Sequence, residues 1–99
     1  MAEPKVRDRI QTESKADERV EHPRLWKVLL HNDDKNDMGF VVATIVELTP
    51  LNEQEATLRM KEADDSGVAL ILTTHKERAE LYQEQFTSKG LVVTIEPAE

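Results

Sequence analysis

The chain has 99 residues, a length that suits one folded domain with a single core. It contains no cysteine, which excludes disulfides, thiol nucleophiles and thiolate metal ligands. Its net charge of −7 argues against nucleic acid, since phosphates require clustered lysine and arginine, and no apolar run approaches the roughly 20 residues of a membrane span.

The first part of the chain, residues 1–23, is rich in charge and poor in apolar residues. Besides the first methionine, its only sizeable aliphatic residues are Val6, Ile10 and Val20. Such a segment buries too little apolar surface to offset the entropy lost on ordering it. The sequence therefore predicts a flexible charged tail over 1–23 and a folded core over 24–99. Because the N-terminus also lacks the apolar stretch of a signal peptide, we expect a cytoplasmic protein.

The core opens with a predicted strand in the stretch LWKVLLH. Alternation puts Trp26, Val28 and Leu30 on one side of this strand. The stretch NDDKND that follows is typical of a turn. A helix is predicted over Met38–Leu48, with Asp37 as its N-cap, and it ends before Pro50 because proline disfavours helical geometry in the preceding residue.

A second helix and a second strand follow. Asn52 and Glu55 have the spacing of a capping box, which predicts a helix over Glu53–Ala63. The dipeptide Ser66-Gly67 is predicted to stop that helix, since glycine tolerates the left-handed conformation after a helix end. The apolar stretch VALILTT then predicts a buried strand over Val68–Thr74.

Thr74 and Glu77 repeat the capping-box spacing and predict a third helix that runs to about Lys89. Gly90 is predicted to end it, and a last strand is predicted over Leu91–Glu96. The order indicates an α+β fold, a two-layer sandwich of a three-stranded sheet with helices on one face. Whether the last two strands are adjacent and parallel, or form a split unit around the first strand, stays open.

Tests for catalytic chemistry find little in the sequence. The histidines have no metal-ligand partner at helical spacing: His22, His31 and His75. The stretch from Asp34 to Gly39 resembles part of a calcium loop, but Met38 stands where an oxygen ligand is needed. A glycine-rich phosphate cradle and a nucleophile elbow are both missing. We therefore expect a non-enzymatic binding module without metal or cofactor; the alternative from the enzyme class is a metal-assisted hydrolase using His31, Asp33 and Asp34.

The turn Asn32-Asp33-Asp34 offers a different kind of chemistry. It brings carboxylate and amide oxygens close to the apolar start of the first helix. This combination suits a ligand with an ammonium head and an apolar body. The alternative is a structural Asx turn that only caps the helix.

Two stretches, Trp26–Asp34 (WKVLLHNDD) and Met38–Val41 (MGFV), resemble the ClpS family of protease adaptors. The resemblance implies the fold deduced above and a role in delivering substrates to ClpA- or ClpC-type AAA+ unfoldases. It also implies recognition of N-degrons, which are proteins with a free N-terminal α-amine and Leu, Phe, Trp or Tyr as the first residue. A monomer is expected, with neither nucleic acid nor membrane as a partner.

The resemblance also implies roles for individual residues. The α-amine would be bound by Asn32, Asp33 and Asp64. The hydrophobic pocket would be lined by Asn36, Met38, Val41, Met60, Ala63 and Leu91. Met38 would be its gate, which rejects β-branched first residues. Glu77 would face the unfoldase, and the charged tail would assist delivery.

Several positions depart from the family pattern. Asp64 stands where the family usually has a histidine, so its negative charge near Asp33 could raise the pKa of one carboxylate. Ala63 replaces a branched residue, and Gly39 replaces a larger polar residue. The departures leave a second hypothesis, a ClpS-fold modulator that binds an unfoldase N-domain or another protein without recognising N-degrons.

Overall fold

The computed structural model describes residues 24–99, and the predicted tail over 1–23 lies outside the described residues. Six elements follow one another, in the predicted order: β1 Leu25–His31, α1 Met38–Leu48, α2 Glu53–Ser66, β2 Val68–His75, α3 Lys76–Ser88 and β3 Val93–Pro97. The α+β class and the two-layer arrangement are confirmed.

The three strands form one sheet in the order β2-β1-β3, and β1 is antiparallel to both neighbours. β2 and β3 are therefore parallel to each other with β1 between them, which is the split arrangement. A bulge between Val28 and Leu29 interrupts the β1–β2 register. It adds one residue to β2, so the predicted alternation of β1 still places Val28 and Leu30 in the core.

The core lies between the sheet and the three helices. Its largest side chains without solvent contact are Val28, Leu30, Ile45 and Phe86. On the opposite side of the sheet, Lys27 and Glu96 form a solvent-exposed ion pair at 3.5 Å. One face of the sheet is thus covered by helices, as predicted from the alternating pattern.

Two helix boundaries follow the predicted signals. The Asn52 side chain accepts the amide of Glu55 at 2.8 Å, and Glu55 accepts the amide of Asn52 at 2.9 Å, a complete capping box. Gly67 ends α2 in the left-handed conformation, with φ of 94°. α2 nevertheless runs to Ser66, beyond the predicted end at Ala63, because the polar residues in between continue the helix without any stop signal.

Two other boundary predictions were wrong, those for the starts of α3 and β3. Thr74 belongs to β2, and the N-cap of α3 is His75, whose side chain makes no capping bond. Asp37 is the N-cap of α1 as predicted, but its side chain makes no capping bond either. β3 begins at Val93 because Leu91 is still used in closing the end of α3, where its amide donates to the Phe86 carbonyl at 3.1 Å.

Candidate functional site

A cavity of about 210 Å³ opens beside the turn after β1. It lies between that turn, the start of α1 and the second half of α2, and it is lined by Leu30, His31, Asn32, Asp33, Asp34, Asn36, Met38, Val41, Met60, Ala63 and Asp64. Sites for drug-sized ligands measure about 300–1,000 Å³. The cavity therefore suits one side chain with its head group.

Backbone hydrogen bonds to two other segments hold the turn that carries the polar residues. The amide of Asn32 donates to the carbonyl of Gly67 at 3.0 Å, and the amide of His31 donates to the carbonyl of Val92 at 3.0 Å. The end of β1 is thus held between the end of α2 and the segment before β3. A rigid support of this kind keeps binding groups in place before a ligand arrives.

Asp33 accepts three hydrogen bonds within the turn. Its Oδ1 accepts the amides of Lys35 at 2.8 Å and Asn36 at 3.3 Å, and its Oδ2 accepts Nδ2 of Asn36 at 2.5 Å. The hydrogen bond from the Asn36 side chain, followed by that from the Lys35 amide, lowers the pKa of Asp33 below its ordinary value of 3.8. The expected upward effect of Asp64 is therefore not found at Asp33, where nearby donors dominate.

Asn36 connects this carboxylate to another part of the chain. Besides its bond to Asp33, its Nδ2 donates to the carbonyl of Gly90 at 2.9 Å. A carboxylate offers about four lone-pair sites, and the three donors named above occupy three of them. Asp33 is thus fixed as an anion that can still accept one hydrogen bond from a ligand.

The other side of the cavity is apolar. Val41, Met60 and Ala63 are buried and form its floor. Met38, by contrast, is 58% exposed, so its flexible side chain lies at the mouth. An anionic rim above an apolar floor matches an ammonium group attached to a hydrophobic side chain.

The structure brings together eight of the nine residues predicted for the amine site and the pocket: Asn32, Asp33, Asn36, Met38, Val41, Met60, Ala63 and Asp64. Leu91 is outside the lining and is buried in the core. The lining also contains Leu30, His31 and Asp34. The inward-facing register of Leu30 and the position of Asp34 in the acidic turn were signals already present in the sequence.

Two further predictions concern other places. Glu77 lies in the first turn of α3, in a separate surface groove with Glu80, Leu81 and Glu84. His31, the residue named for a metal-assisted reaction, has Nε2 at 2.7 Å from Oγ1 of Thr94. Within residues 24–99, side chains of His, Asp and Glu do not gather in groups of three suited to a metal ion. Over the same range the helices are too short or too polar to cross a membrane.

The fold and the cavity together define a small α+β domain with a cavity of side-chain size beside an acidic turn. Residues 21–94 match the family model described as ATP-dependent Clp protease adaptor protein ClpS. The chain belongs to the ClpS family. Its recognition from the motif WKVLLHNDD and MGFV is thereby confirmed.

Curated relatives match most of the chain. The chain is 48% identical over 86 residues to the ATP-dependent Clp protease adapter protein ClpS of Synechococcus sp. (strain CC9902). That alignment covers 84% of this chain and 82% of the relative. The chain is 35% identical over 94 residues to ClpS 1 of Rhodopseudomonas palustris, spanning 89% of this chain and 91% of the relative.

A solved structure has the same fold. It is that of Agrobacterium tumefaciens ClpS2 bound to L-phenylalaninamide, with a TM-score of 0.74 and 28% sequence identity. The alignment covers 77% of this chain and 99% of the other.

Proposed function

We propose that this protein is a protease adaptor that binds substrates through a free N-terminal α-amine and a bulky hydrophobic first residue. It then delivers them to a Clp AAA+ unfoldase. The observation that carries the proposal is the position of ionised Asp33 at the rim of a cavity whose floor is Val41, Met60 and Ala63. An adaptor of this kind has no catalytic step of its own.

The ligand of the Agrobacterium relative supports this assignment. L-phenylalaninamide has a free α-amine, a phenyl side chain and a carboxamide in place of the first peptide bond. It is the smallest chemical equivalent of a polypeptide that begins with phenylalanine. We assign the ammonium to Asn32, Asp33 and Asp64, and the side chain to the apolar floor.

The expected affinity follows from the two parts of the ligand. A charge-assisted hydrogen bond contributes roughly 1.5–3 kcal/mol. Burying a Leu or Phe side chain contributes roughly another 1.5–3 kcal/mol. With two or three such bonds, and after the cost of association, a dissociation constant of about 1 μM is expected.

The choice of first residue would be set by the size and shape of the cavity. Met38 at the mouth would exclude β-branched residues, whose second branch lies next to the backbone. Leu, Phe, Trp and Tyr branch farther out and would reach the floor. The small side chain of Ala63 at that floor favours the larger members of this set.

One observation supports a second candidate function. Asp64 puts a third carboxylate into the lining beside Asp33 and Asp34. Without a bound ammonium group, the three carboxylates repel each other. In a protein that has lost degron binding, they would be ordinary surface groups with no ligand. Such a protein would act as a modulator that binds an unfoldase N-domain and no free N-terminus.

Fluorescence anisotropy with labelled peptides separates the two candidates. The peptides differ only in the first residue: Leu, Phe, Trp, Tyr, Ile, Met and Nα-acetyl-Leu. The adaptor function predicts saturable binding of the Leu and aromatic peptides, with no binding of acetyl-Leu. Absence of binding for every peptide at about 100 μM, far above the expected constant, would leave the modulator.

Delivery requires a second surface, for which we propose the start of α3 around Glu77. The partner would be the N-domain of a ClpA- or ClpC-type unfoldase in the cytoplasm, bound by the monomeric adaptor. Glu77→Ala should weaken that complex and leave peptide binding unchanged, because Glu77 shares no groove with the cavity. Pull-down with the isolated N-domain, beside the peptide titration, measures both effects.

A further inference from the structure

An apolar groove lies next to the candidate cavity, between α1 and α2. Its volume is about 540 Å³, and it is lined by Met38, Gly39, Val42, Ala43, Val46, Glu47, Glu53, Thr57 and Met60. Met38 and Met60 line the cavity as well. The groove and the cavity are therefore neighbouring compartments that share these two methionine side chains as a wall.

The surface of the groove is largely apolar. Val46 on α1 is 40% exposed, and Met38 is exposed at the end nearest the cavity. Gly39 also lines the groove, and a Cβ there would lie 3.1 Å from Oδ2 of Asp37.

We propose that this groove binds the side chain of the third residue of the polypeptide whose first residue occupies the cavity. The inference rests on the proposed function. In an extended chain, successive side chains point to opposite faces, so residues 1 and 3 share a face and lie about 6.6 Å apart. That spacing takes the third side chain past the wall of Met38 and Met60, and the second side chain points to solvent.

The lining determines which third residue fits. Val42, Ala43 and Val46 give an apolar floor, which favours a long hydrophobic side chain. Glu47 and Glu53 stand at the rim and repel an acidic side chain. Glu47 is partly compensated by Lys89 at 3.7 Å, and Glu53 lies in the first turn of α2. The expected order of affinity is therefore Leu, then Ala, then Asp.

Peptide titrations test this order directly. Four peptides share a first leucine and differ at the next two positions: Leu-Ala-Leu, Leu-Ala-Ala, Leu-Ala-Asp and Leu-Leu-Ala, each with the same tail. Leu-Ala-Leu should bind about fivefold more tightly than Leu-Ala-Ala, since the groove is open and buries only part of the side chain. Leu-Ala-Asp should bind more weakly than Leu-Ala-Ala, and Leu-Leu-Ala should equal it.

A pair of variants shows whether the groove causes the effect. Val46→Glu should bring the ratio of the Leu-Ala-Leu and Leu-Ala-Ala constants close to 1. Leu58→Glu is the matched control, because Leu58 is 63% exposed on α2 and does not line the groove. It should keep the wild-type ratio, and circular dichroism checks the fold of both variants.

The outcomes distinguish this inference from the function on which it rests. Equal constants for the three Leu-Ala peptides would overturn the groove and leave N-terminal recognition intact. A gain from Leu-Leu-Ala alone would also overturn it, since the second side chain would then be the one bound. Failure of all four peptides to bind would overturn both the groove and the proposed function.

Discussion

At the scale of single residues, Asp33 connects the local structure of the turn to its proposed chemistry. Three donors from Lys35 and Asn36 hold its carboxylate, and they favour its ionised form. The same donors leave one acceptor position open to a ligand. The bonds from the amides of Lys35 and Asn36 make Asp33 the first residue of an Asx turn, but this turn does not cap α1, whose N-cap is Asp37.

Replacing Asp33 tests its part in recognition. Asp33→Asn keeps the size of the side chain and an acceptor for the Lys35 amide, but it removes the charge. We expect the dissociation constant of a Leu-first peptide to rise about 10- to 100-fold, the equivalent of one charge-assisted bond. Asp65→Asn removes the same charge from an exposed position of α2 outside the lining and is the control. If both changes weakened binding equally, Asp33 would act only through the net charge of the protein and not through a direct bond to the ligand.

The pH dependence of binding follows from the two charged partners. The pKa of Asp33 is lowered, so its contribution to the stability of the fold is present above its ordinary value of 3.8 and is lost as pH falls through the lower folded value. The peptide α-amine has a pKa of about 8. Above pH 8 the α-amine loses its proton, so the affinity should fall about tenfold per pH unit.

Anisotropy titrations between pH 5 and pH 10 measure this profile. Since His31 also lines the cavity, the series should be repeated with His31→Gln, whose side-chain amide has the reach of the imidazole Nε2 that contacts Thr94. The variant should retain the loss of affinity above pH 8. An affinity that stays constant to pH 10 would contradict a bound ammonium group.

The residues of the site were largely predictable because they follow a motif that is continuous in sequence. Asn32, Asp33, Met38 and Val41 lie within one turn and the start of one helix. Leu91 could not be placed in the same way, because the Schellman-like end of α3 decides whether it lies at the cavity or in the core. A contact across the fold of this kind has no signal at the level of residue spacing.

At the scale of elements, α2 has both of its ends fixed by strong local signals. Its start has the capping box of Asn52 and Glu55, and its end has Gly67 with positive φ. The carbonyl of Gly67 then accepts the amide of Asn32. The end of a helix thus positions the turn that carries the amine site.

Two substitutions compare the observed capping box of Asn52 and Glu55 with the predicted box at Thr74, which does not form. Asn52→Ala removes a bond to the Glu55 amide and should lower the free energy of unfolding by about 1 kcal/mol. Thr74→Val removes only a hydroxyl from a β-branched residue of β2, and it should leave that free energy within about 0.5 kcal/mol of wild type. Urea denaturation followed by circular dichroism measures both. A loss of similar size for Thr74→Val would place the cap of α3 at Thr74 after all.

Element types were easier to predict than their limits. The apolar periodicity of α1 and the alternation of β1 are repeated over several residues, so one misplaced residue does not change the assignment. The start of α3 depends on one residue. There the strand pairing of Thr74 with Trp26 prevails over its capacity to cap a helix.

At the scale of the whole molecule, the layer arrangement followed from the sequence but the strand order did not. Alternation in β1 and the apolar runs of β2 and β3 require helices on one face. Which strand is central depends on pairings between residues far apart in the chain, such as Leu30 with Val93. Sequence spacing does not encode these pairings, whereas family membership does.

The division between tail and core gives a prediction for the complete chain. Among residues 24–99, those that line the cavity fall between Leu30 and Asp64. Removing residues 1–23 should therefore leave the affinity for a Leu-first peptide within about twofold, a difference expected for surface changes. Unfoldase-dependent degradation of an N-degron substrate should fall, because the family resemblance implies that the tail assists delivery. Weaker peptide binding by the shortened chain would mean that the tail takes part in recognition.

The central claim is that the cavity beside Asp33 binds a free N-terminus, and a titration followed by amide NMR tests it most directly. L-phenylalaninamide and its Nα-acetyl derivative are added in turn to the ¹⁵N-labelled protein. We expect the free amine to shift resonances of Asn32 to Val41 and of Met60 to Asp64, and we expect the acetylated compound to shift none of them. Shifts caused equally by both compounds, or confined to other parts of the fold, would contradict the account.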